Sequence, residues 1–163
     1  MPGTEAGSAR ISVATLGDLP AWLDLAREVE PLFGSMLADP GFHAALRRCV
    51  DRGSAFCVRG GDGQPSAPLI GGLLFSAKPP AYRLGWLAVT SARRRRGVGR
   101  ALVSHVFGLI RRPAELTVLT FGEDAEHGPA ARRFYESLGF RPAEPAPPGP
   151  EGGSRQVFRR SFP

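Results

Sequence analysis

The sequence is poor in the residues that build disulfide frameworks, metal centres and membrane spans. Its 163 residues include two cysteines, Cys49 and Cys57, which fall in a predicted helix and a predicted strand and so indicate small core residues. No apolar run approaches the roughly 20 residues that cross a bilayer, and residues 1–10 are polar and contain glycine rather than resembling a signal peptide. We therefore expect a cytoplasmic protein without a metal, and a disordered tail at residues 1–10.

Lysine is almost absent, because Lys78 is the only lysine among 21 basic residues. The formal net charge of +6 therefore rests on arginine. Excess positive charge favours an anionic partner. Charge alone does not identify it, since a phosphorylated cofactor and nucleic acid are both polyanions.

The chain is long enough for one domain with its own core, which we place at residues 11–163. The first helix is expected to be interrupted at Pro31. Residues 142–153 hold eight prolines and glycines among twelve residues, which predicts an extended loop. Apolar periodicity and turn residues predict strands at 11–14, 55–58, 69–75, 82–89, 116–121 and 155–162, and helices after Asp18, after Asp39, from Val98 and from Pro129.

Four consecutive arginines, Arg93–Arg96, join the apolar strand 82–89 to the helix that begins at Val98. Gly97 and Gly99 allow backbone N–H groups to come close to a ligand, and the positive end of a helix favours an anion. Guanidinium groups donate charge-assisted hydrogen bonds to phosphate oxygens. This stretch predicts a cradle for phosphate or pyrophosphate.

The arginine run has three other interpretations. A P-loop needs a lysine after the glycine, and none follows here. A dinucleotide fingerprint would need a third glycine where Leu102 stands. A solvated arginine run, which is what most charge runs are, stays open as the alternative.

The helix after the arginines has an apolar stripe that predicts its buried face. His105 falls within this stripe on a helical wheel, so we expect it to be a core histidine. The stripe consists of Val98, Ala101, Leu102, Val106, Leu109 and Ile110.

Two motifs resemble those of one enzyme family, the GCN5-related N-acetyltransferases (GNAT). The first, Arg94-Arg95-Arg96-Gly97-Val98-Gly99, is similar to the family's acyl-CoA pyrophosphate loop, Arg/Gln-x-x-Gly-x-Gly/Ala. The second lies at residues 131–140 and resembles the late helix Ala-x-x-Phe-Tyr-x-x-x-Gly-Phe. Pro129 and Gly139 independently favour a helix that starts and ends there. The residues that match the second motif are Ala131, Phe134, Tyr135, Leu138, Gly139 and Phe140.

The resemblance implies an α/β (α+β) fold with a central mixed, mostly antiparallel sheet of about six to seven strands and about four flanking helices. It implies acetyl-CoA as cosubstrate and direct acetyl transfer to a primary amine in a ternary complex. By resemblance, the backbones of Leu87, Ala88 and Val89 contact the pantetheine. The loop contacts implied by the family are Arg94, Arg95, Arg96, Gly97, Val98, Gly99 and Arg100.

Tyr135 matches the family tyrosine that donates a proton to the leaving sulfur. The general base is not identified, because strand 82–89 lacks the carboxylate that many members carry there. Residues 117–122 also lack the family's asparagine, which puts one pantetheine contact in doubt. Acidic residues and a histidine between this strand and the late helix are candidates to orient the amine: Glu123, Asp124, Glu126 and His127.

Acceptor contacts implied by the resemblance are Glu28, Glu30, Phe33 and Met36, in and after the first helix, together with Glu123 and Asp124. The acceptor itself stays open among a small metabolite, a polyamine-like or aminoglycoside-like amine, a peptide N-terminus and a protein lysine, as do monomer and homodimer. Two alternative functions remain: a degenerate sensor that binds acyl-CoA without turnover, and a nucleic-acid-binding module. The second is disfavoured because residues 93–100 contain no aromatic side chain for base stacking.

Overall fold

The computed structural model describes residues 9–163; residues 1–8, which hold most of the predicted tail, lie outside that range. The strands are β1 (Ser12–Val13), β2 (Ala55–Arg59), β3 (Leu69–Lys78), β4 (Ala81–Val89), β5 (Ala114–Phe121), β6 (Arg141–Ala146) and β7 (Arg155–Phe162). The helices are α1 (Leu19–Phe33), α2 (Pro40–Asp51), α3 (Val98–Phe107) and α4 (Gly128–Ser137).

One mixed sheet of seven strands, in the order β1-β2-β3-β4-β5-β7-β6, organises the domain. Every neighbouring pair is antiparallel except β4 and β5, which run parallel because α3 returns the chain across the sheet. The predicted fold class is confirmed. Among the described helices, none has the length and apolarity to cross a membrane.

The two faces of the sheet bury separate cores. Helices α3 and α4 cover one face, where Leu102, Val103 and Val106 are fully buried. Helices α1 and α2 cover the other face around the fully buried Trp22. Cys57 is buried in this second core and its thiol is free.

A buried ion pair fastens the start of α1 to β2. The guanidinium of Arg59 donates from Nε and Nη2 to the two carboxylate oxygens of Asp18, at 2.9 and 2.6 Å. Burial alone would raise the pKa of Asp18, but hydrogen bonds from Arg59, Thr15 and Ser66 and the charge of Arg59 lower it to about 2. Asp18 precedes α1 as predicted, although its side chain does not cap that helix.

The expected interruption at Pro31 was wrong, since α1 continues through it to Phe33. Pro31 is exposed and lies in the last turn, so the one helical hydrogen bond that its missing N–H cannot donate falls at the end of the helix. The helix ends at Gly34, whose φ is 89°.

The interpretation of His105 as a core histidine was also wrong, because the residue is exposed. Helix α3 ends at Phe107, so the stripe does not reach Leu109, which is 44% exposed. Val103 is buried instead, and the His105 ring packs its edge against Phe56 at 4.7 Å between centroids.

The predicted loop at residues 142–153 was wrong for its first part, because residues 142–146 belong to β6. Strand β6 is at the edge of the sheet and pairs only with β7, so Pro142 and Pro145 are tolerated there. The pairing register shifts between these two prolines. Residues 147–154 connect β6 to β7 without a strand or helix.

Candidate active site

The parallel strands β4 and β5 are paired only over their first halves. Residues 81–84 of β4 pair with residues 115–118 of β5. Beyond that point β4 continues to Val89 along β3, and β5 continues to Phe121 along β7, with no pairing between them. The two strands therefore separate into a gap that opens at their carboxyl ends, which is where ligands bind in parallel α/β units.

A β-bulge at Gly85 begins this gap. The register between β3 and β4 pairs Phe75 with Leu84 and Leu74 with Trp86, so Gly85 has no partner in β3. A bulge bends its strand and increases the local twist. Because Gly85 directly follows the last β4 residue paired with β5, it turns the rest of β4 away from β5.

The gap exposes backbone groups of β4. The N–H of Thr90 donates to the Ile70 carbonyl of β3 at 2.8 Å. Since backbone groups alternate along a strand, those of Ala88 also face β3, whereas those of Leu87 and Val89 face the gap. Of the three predicted backbone contacts, Leu87 and Val89 have the orientation that a ligand in the gap requires, and Ala88 does not.

The arginine loop between β4 and α3 has the backbone of an anion site. Arg95 and Gly97 have φ values of 61° and 83°, in the left-handed region that favours glycine. A Cβ placed on Gly97 would meet nothing within 4 Å, so the backbone there is open to a ligand. Helix α3 begins at Val98, and its first-turn N–H groups face outward from the loop. Strand, loop and helix follow in the predicted order.

The arginines of the loop differ in their partners. Arg94 donates from Nε to the Val89 carbonyl at 3.3 Å, and Arg100 donates from Nη2 to Ser137 Oγ of α4 at 2.9 Å. Arg95 and Arg96 are exposed and make no hydrogen bond or ion pair within residues 9–163. Among the four predicted arginine contacts, Arg95 and Arg96 are therefore the guanidinium groups most available to a phosphate, whereas Arg100 joins two helices.

Tyr135, the predicted proton donor, is 7% exposed on α4. Its ring lies edge-on against Phe134, Phe140 and Phe158, with centroids at 5.0, 5.6 and 6.5 Å. Burial raises the pKa of the Tyr135 hydroxyl well above its ordinary value. The hydroxyl therefore stays protonated even at strongly alkaline pH, so a hydrogen to donate is always present.

The two glutamates of α1 that were predicted as acceptor contacts form hydrogen bonds within the protein. Glu30 Oε1 accepts hydrogen bonds from the N–H groups of Met36 and Leu37 at 3.0 and 2.9 Å, which holds the loop between α1 and α2. Glu28 Oε1 accepts from the Ser91 N–H at 2.8 Å, so this carboxylate faces the arginine loop.

Phe33, the third predicted contact on α1, stacks on Phe121 with centroids 5.6 Å apart. Phe121 is the last residue of β5, so this pair lies where the gap opens. Trp86, just after the bulge, donates from Nε1 to the sulfur of Met36 at 3.1 Å. Apolar side chains thus stand on both strands at the α1 side of the gap.

The acidic cluster after β5 does not converge on one point. Glu123 is 88% exposed and lies 3.8 Å from Arg132 Nη2, and Asp124 accepts a hydrogen bond from Ser154 Oγ. Glu126 and His127 are exposed. No single general base is therefore assigned.

Arg132 is a residue of this region that sequence reasoning missed. Its Nη1 donates to the Phe121 carbonyl at 3.0 Å and to Gln156 Oε1 at 2.7 Å, and its guanidinium lies 4.9 Å from the Phe158 ring. It fastens α4 to the end of β5. Arg132 occupies a variable position of the late-helix motif, so the motif does not identify it. Its position three residues before Tyr135 is the only sequence signal that could have pointed to it.

A family model described as an acetyltransferase (GNAT) domain matches residues 53–142, which is more than half of the chain. The match includes β4, the arginine loop, α3, β5 and α4. No curated protein matches the chain.

Solved structures with the same fold cover nearly the whole chain. The ribosomal-protein-S18-alanine N-acetyltransferase from Escherichia coli is 20% identical, with a TM-score of 0.68 over 93% of this chain and 92% of that one. Ard1 from Thermoplasma volcanium is 18% identical, with a TM-score of 0.71 over 96% of this chain and 99% of that one. The PaiA N-acetyltransferase from Thermoplasma acidophilum, in complex with coenzyme A, is 13% identical, with a TM-score of 0.67 over 94% and 98%.

Proposed function

The chain belongs to the GNAT acetyltransferase family and is an acyltransferase, and on this premise we propose that it transfers the acetyl group of acetyl-CoA to a primary amine by direct attack in a ternary complex. Residues 11–163 form the acyl-CoA N-acyltransferase domain in this proposal. The observation that carries it is the gap between β4 and β5, which ends at the open arginine loop.

The residues around the gap fit an extended thioester with a pyrophosphate at one end. Arg95, Arg96 and the first-turn N–H groups of α3 receive the pyrophosphate. The backbone groups of Leu87 and the N–H of Val89, which face the gap, bind the pantetheine arm in place of a neighbouring strand, while the Val89 carbonyl accepts from Arg94. Acetyl-CoA supplies the thioester carbonyl to be attacked.

Each chemical requirement of the transfer has a candidate group. An amine with the pKa of lysine, near 10.4, must lose its proton before it attacks, at a cost of about 4 to 5 kcal/mol at pH 7. A backbone N–H of β4 stabilises the negative charge that develops on the carbonyl oxygen. As the new C–N bond forms and the C–S bond breaks, Tyr135 donates a hydrogen bond to the departing sulfur. The amine proton leaves through water, with Glu123 and Asp124 as the nearest carboxylates after β5.

The acceptor is proposed only as a primary amine. The Escherichia coli relative is named for an alanine of a ribosomal protein, which makes a peptide N-terminus a reasonable first acceptor. Phe33, Phe121 and Trp86 give the α1 side of the gap an apolar lining that suits an acceptor with apolar groups beside its amine.

Calorimetric titration with acetyl-CoA, beside ATP, NADH and a short oligonucleotide, tests the cofactor. Binding of acetyl-CoA alone, near 10 μM or about −7 kcal/mol, supports the proposal. Equal binding of every polyanion would identify the arginines as a general basic patch and would favour the nucleic-acid-binding function instead. Release of free thiol with a panel of peptides and small amines then identifies the acceptor.

A second candidate is a sensor that binds acyl-CoA without turnover. The lack of a carboxylate anywhere in β4 favours it, because the base that many family members use is missing. Tight acetyl-CoA binding with no thiol release for any amine would identify the sensor.

A further inference from the structure

Glu28 of α1 and the start of the arginine loop form a cluster of hydrogen bonds. The carboxylate accepts from the N–H and the hydroxyl of Ser91 at 2.8 and 2.9 Å, both through Oε1. The Thr90 hydroxyl lies 2.9 and 3.0 Å from the two carboxylate oxygens. Glu28 thus binds the first two residues after β4.

The arginine loop has few other anchors. Residues 91–97 are all exposed, so no hydrophobic core holds them. Four adjacent positive charges repel one another, and Arg95 adopts a left-handed backbone that costs free energy in a residue other than glycine. Apart from short turn bonds to Thr90 and Ser91, and the bond from the Ala101 N–H to the Gly97 carbonyl where α3 begins, the described partners of the loop are the Val89 carbonyl and Glu28.

We propose that Glu28 is a positioning residue that holds the arginine loop ready for the acyl-CoA pyrophosphate. A loop that is ordered before binding loses less conformational entropy when the ligand arrives, so its affinity is higher. The acyl-CoA part of this inference rests on the proposed function. The part that concerns the order of the loop does not.

A carboxylate beside a polyanion site also repels the ligand, and the two effects oppose each other. The hydrogen bonds of Ser91 lower the pKa of Glu28, and the charge of Arg94 acts in the same direction, so the carboxylate is ionised at neutral pH. Glu28 is exposed, and salt screens charges in water at distances near 8 Å at physiological ionic strength. We therefore expect ordering to outweigh repulsion in 0.15 M salt, and the balance to shift further toward ordering as the salt concentration increases.

The loop contains its own reporter, because trypsin cleaves after arginine and Arg93–Arg96 lie within five residues of the Glu28 contacts. Glu28→Ala removes the carboxylate that accepts the loop hydrogen bonds. Glu28→Gln keeps one oxygen that can accept a hydrogen bond but removes the negative charge. Asp24→Ala is the matched control: Asp24 is an exposed carboxylate on the same helix, paired with Arg27 at 3.1 Å and not with the loop. Fragments are identified by mass spectrometry.

Without ligand, we expect Glu28→Ala to be cleaved at Arg93–Arg96 about fivefold faster than wild type, with Glu28→Gln in between and Asp24→Ala unchanged. The dissociation constant for acetyl-CoA should rise about fivefold in Glu28→Ala, with KM for acetyl-CoA raised and kcat unchanged. Cleavage at the wild-type rate, or an unchanged affinity for acetyl-CoA, overturns the inference.

Failure of the proposed function gives a different result. In that case wild-type protein does not bind acetyl-CoA, while the cleavage comparison, which needs no ligand, still decides whether Glu28 orders the loop.

Discussion

Gly99 of α3 lies against Phe134 of α4: a Cβ on Gly99 would be 3.3 Å from Phe134 Cζ. Gly99, the second glycine of the pyrophosphate-loop motif, thus allows α4 to approach α3. The two motifs therefore form one packed unit. This contact explains the glycine by helix packing, whereas Gly97, with open space around it, serves the loop.

Replacing Gly99 with valine should push α4 away from the loop. We expect the free energy of unfolding to fall by about 1 to 3 kcal/mol, as in other overpacked contacts, and acetyl-CoA affinity to fall with it. Urea unfolding and titration measure the two effects. Gly99→Ala, which needs a shift of only a few tenths of an ångström, should show a smaller loss of both; an equal loss in the two variants would contradict the packing role.

Gly97→Ala should reduce the free energy of acetyl-CoA binding by more than it reduces the free energy of unfolding. Gly53, after α2, is a matched control, because it also has positive φ, at 69° against 83°, and open space around it. Both alanine variants should lose about 1 kcal/mol of stability through backbone strain. Only Gly97→Ala should raise the dissociation constant for acetyl-CoA, and similar affinities in both variants would remove the loop from the site.

Replacing Arg95 and Arg96 together with alanine should weaken acetyl-CoA binding by about tenfold per arginine, because each loses a charge-assisted hydrogen bond to phosphate. Thermal stability should not change, since neither side chain makes a hydrogen bond or ion pair within the described part of the chain. Replacing Arg48 and Arg52, two exposed arginines at the end of α2, removes the same charge elsewhere. Equal losses in both double variants would indicate general electrostatic attraction.

Tyr135→Phe should lower kcat by about 10- to 100-fold while acetyl-CoA affinity and thermal stability stay near wild type. The loss follows from the missing donor to the departing sulfur. Tyr82→Phe is the control, because Tyr82, the only other tyrosine, has its hydroxyl bonded to the Arg111 N–H at 3.3 Å. Unchanged turnover in Tyr135→Phe at all pH values would discard the catalytic role.

Asp18→Asn should reduce the free energy of unfolding by about 3 kcal/mol at pH 7, because Arg59 is left buried without its counter-charge. The pKa of Asp18 is lowered to about 2 in the folded protein, so the stability it contributes is full above its unfolded value near 4. That contribution, about 2 kcal/mol, is lost as the pH falls from 4 through 2. Urea unfolding of both proteins should converge over this range, and a constant difference would contradict the ion pair.

The sequence predicted features that local signals carry. Gly97 and Gly139 both have positive φ, at 83° and 89°, and Pro129 lies in the first turn of α4. These residues fix a loop, a helix end and a helix start through their own backbone preferences. The order of strand, arginine loop and helix was predictable for the same reason.

Features that depend on distant partners were missed. The bulge at Gly85 is visible only once β4 is aligned with β3, and Glu28 reaches Ser91 across 63 residues. The acceptor roles predicted for Glu28 and Glu30 came from their place along the chain, whereas their hydrogen bonds depend on how α1 packs. His105 was misplaced because its stripe was drawn through Leu109, which lies beyond the end of α3, whereas the buried face includes Val103.

Pro142 and Pro145 also make β6 a poor template for a further strand. Strand β6 forms one rim of the sheet, and at two of its six positions the nitrogen has no hydrogen to share with another strand. The carbonyl groups of a strand added beside β6 would find no N–H donor at these prolines. This opposes edge-to-edge pairing of sheets from two copies of the protein. The prolines thus oppose aggregation by strand addition at this rim.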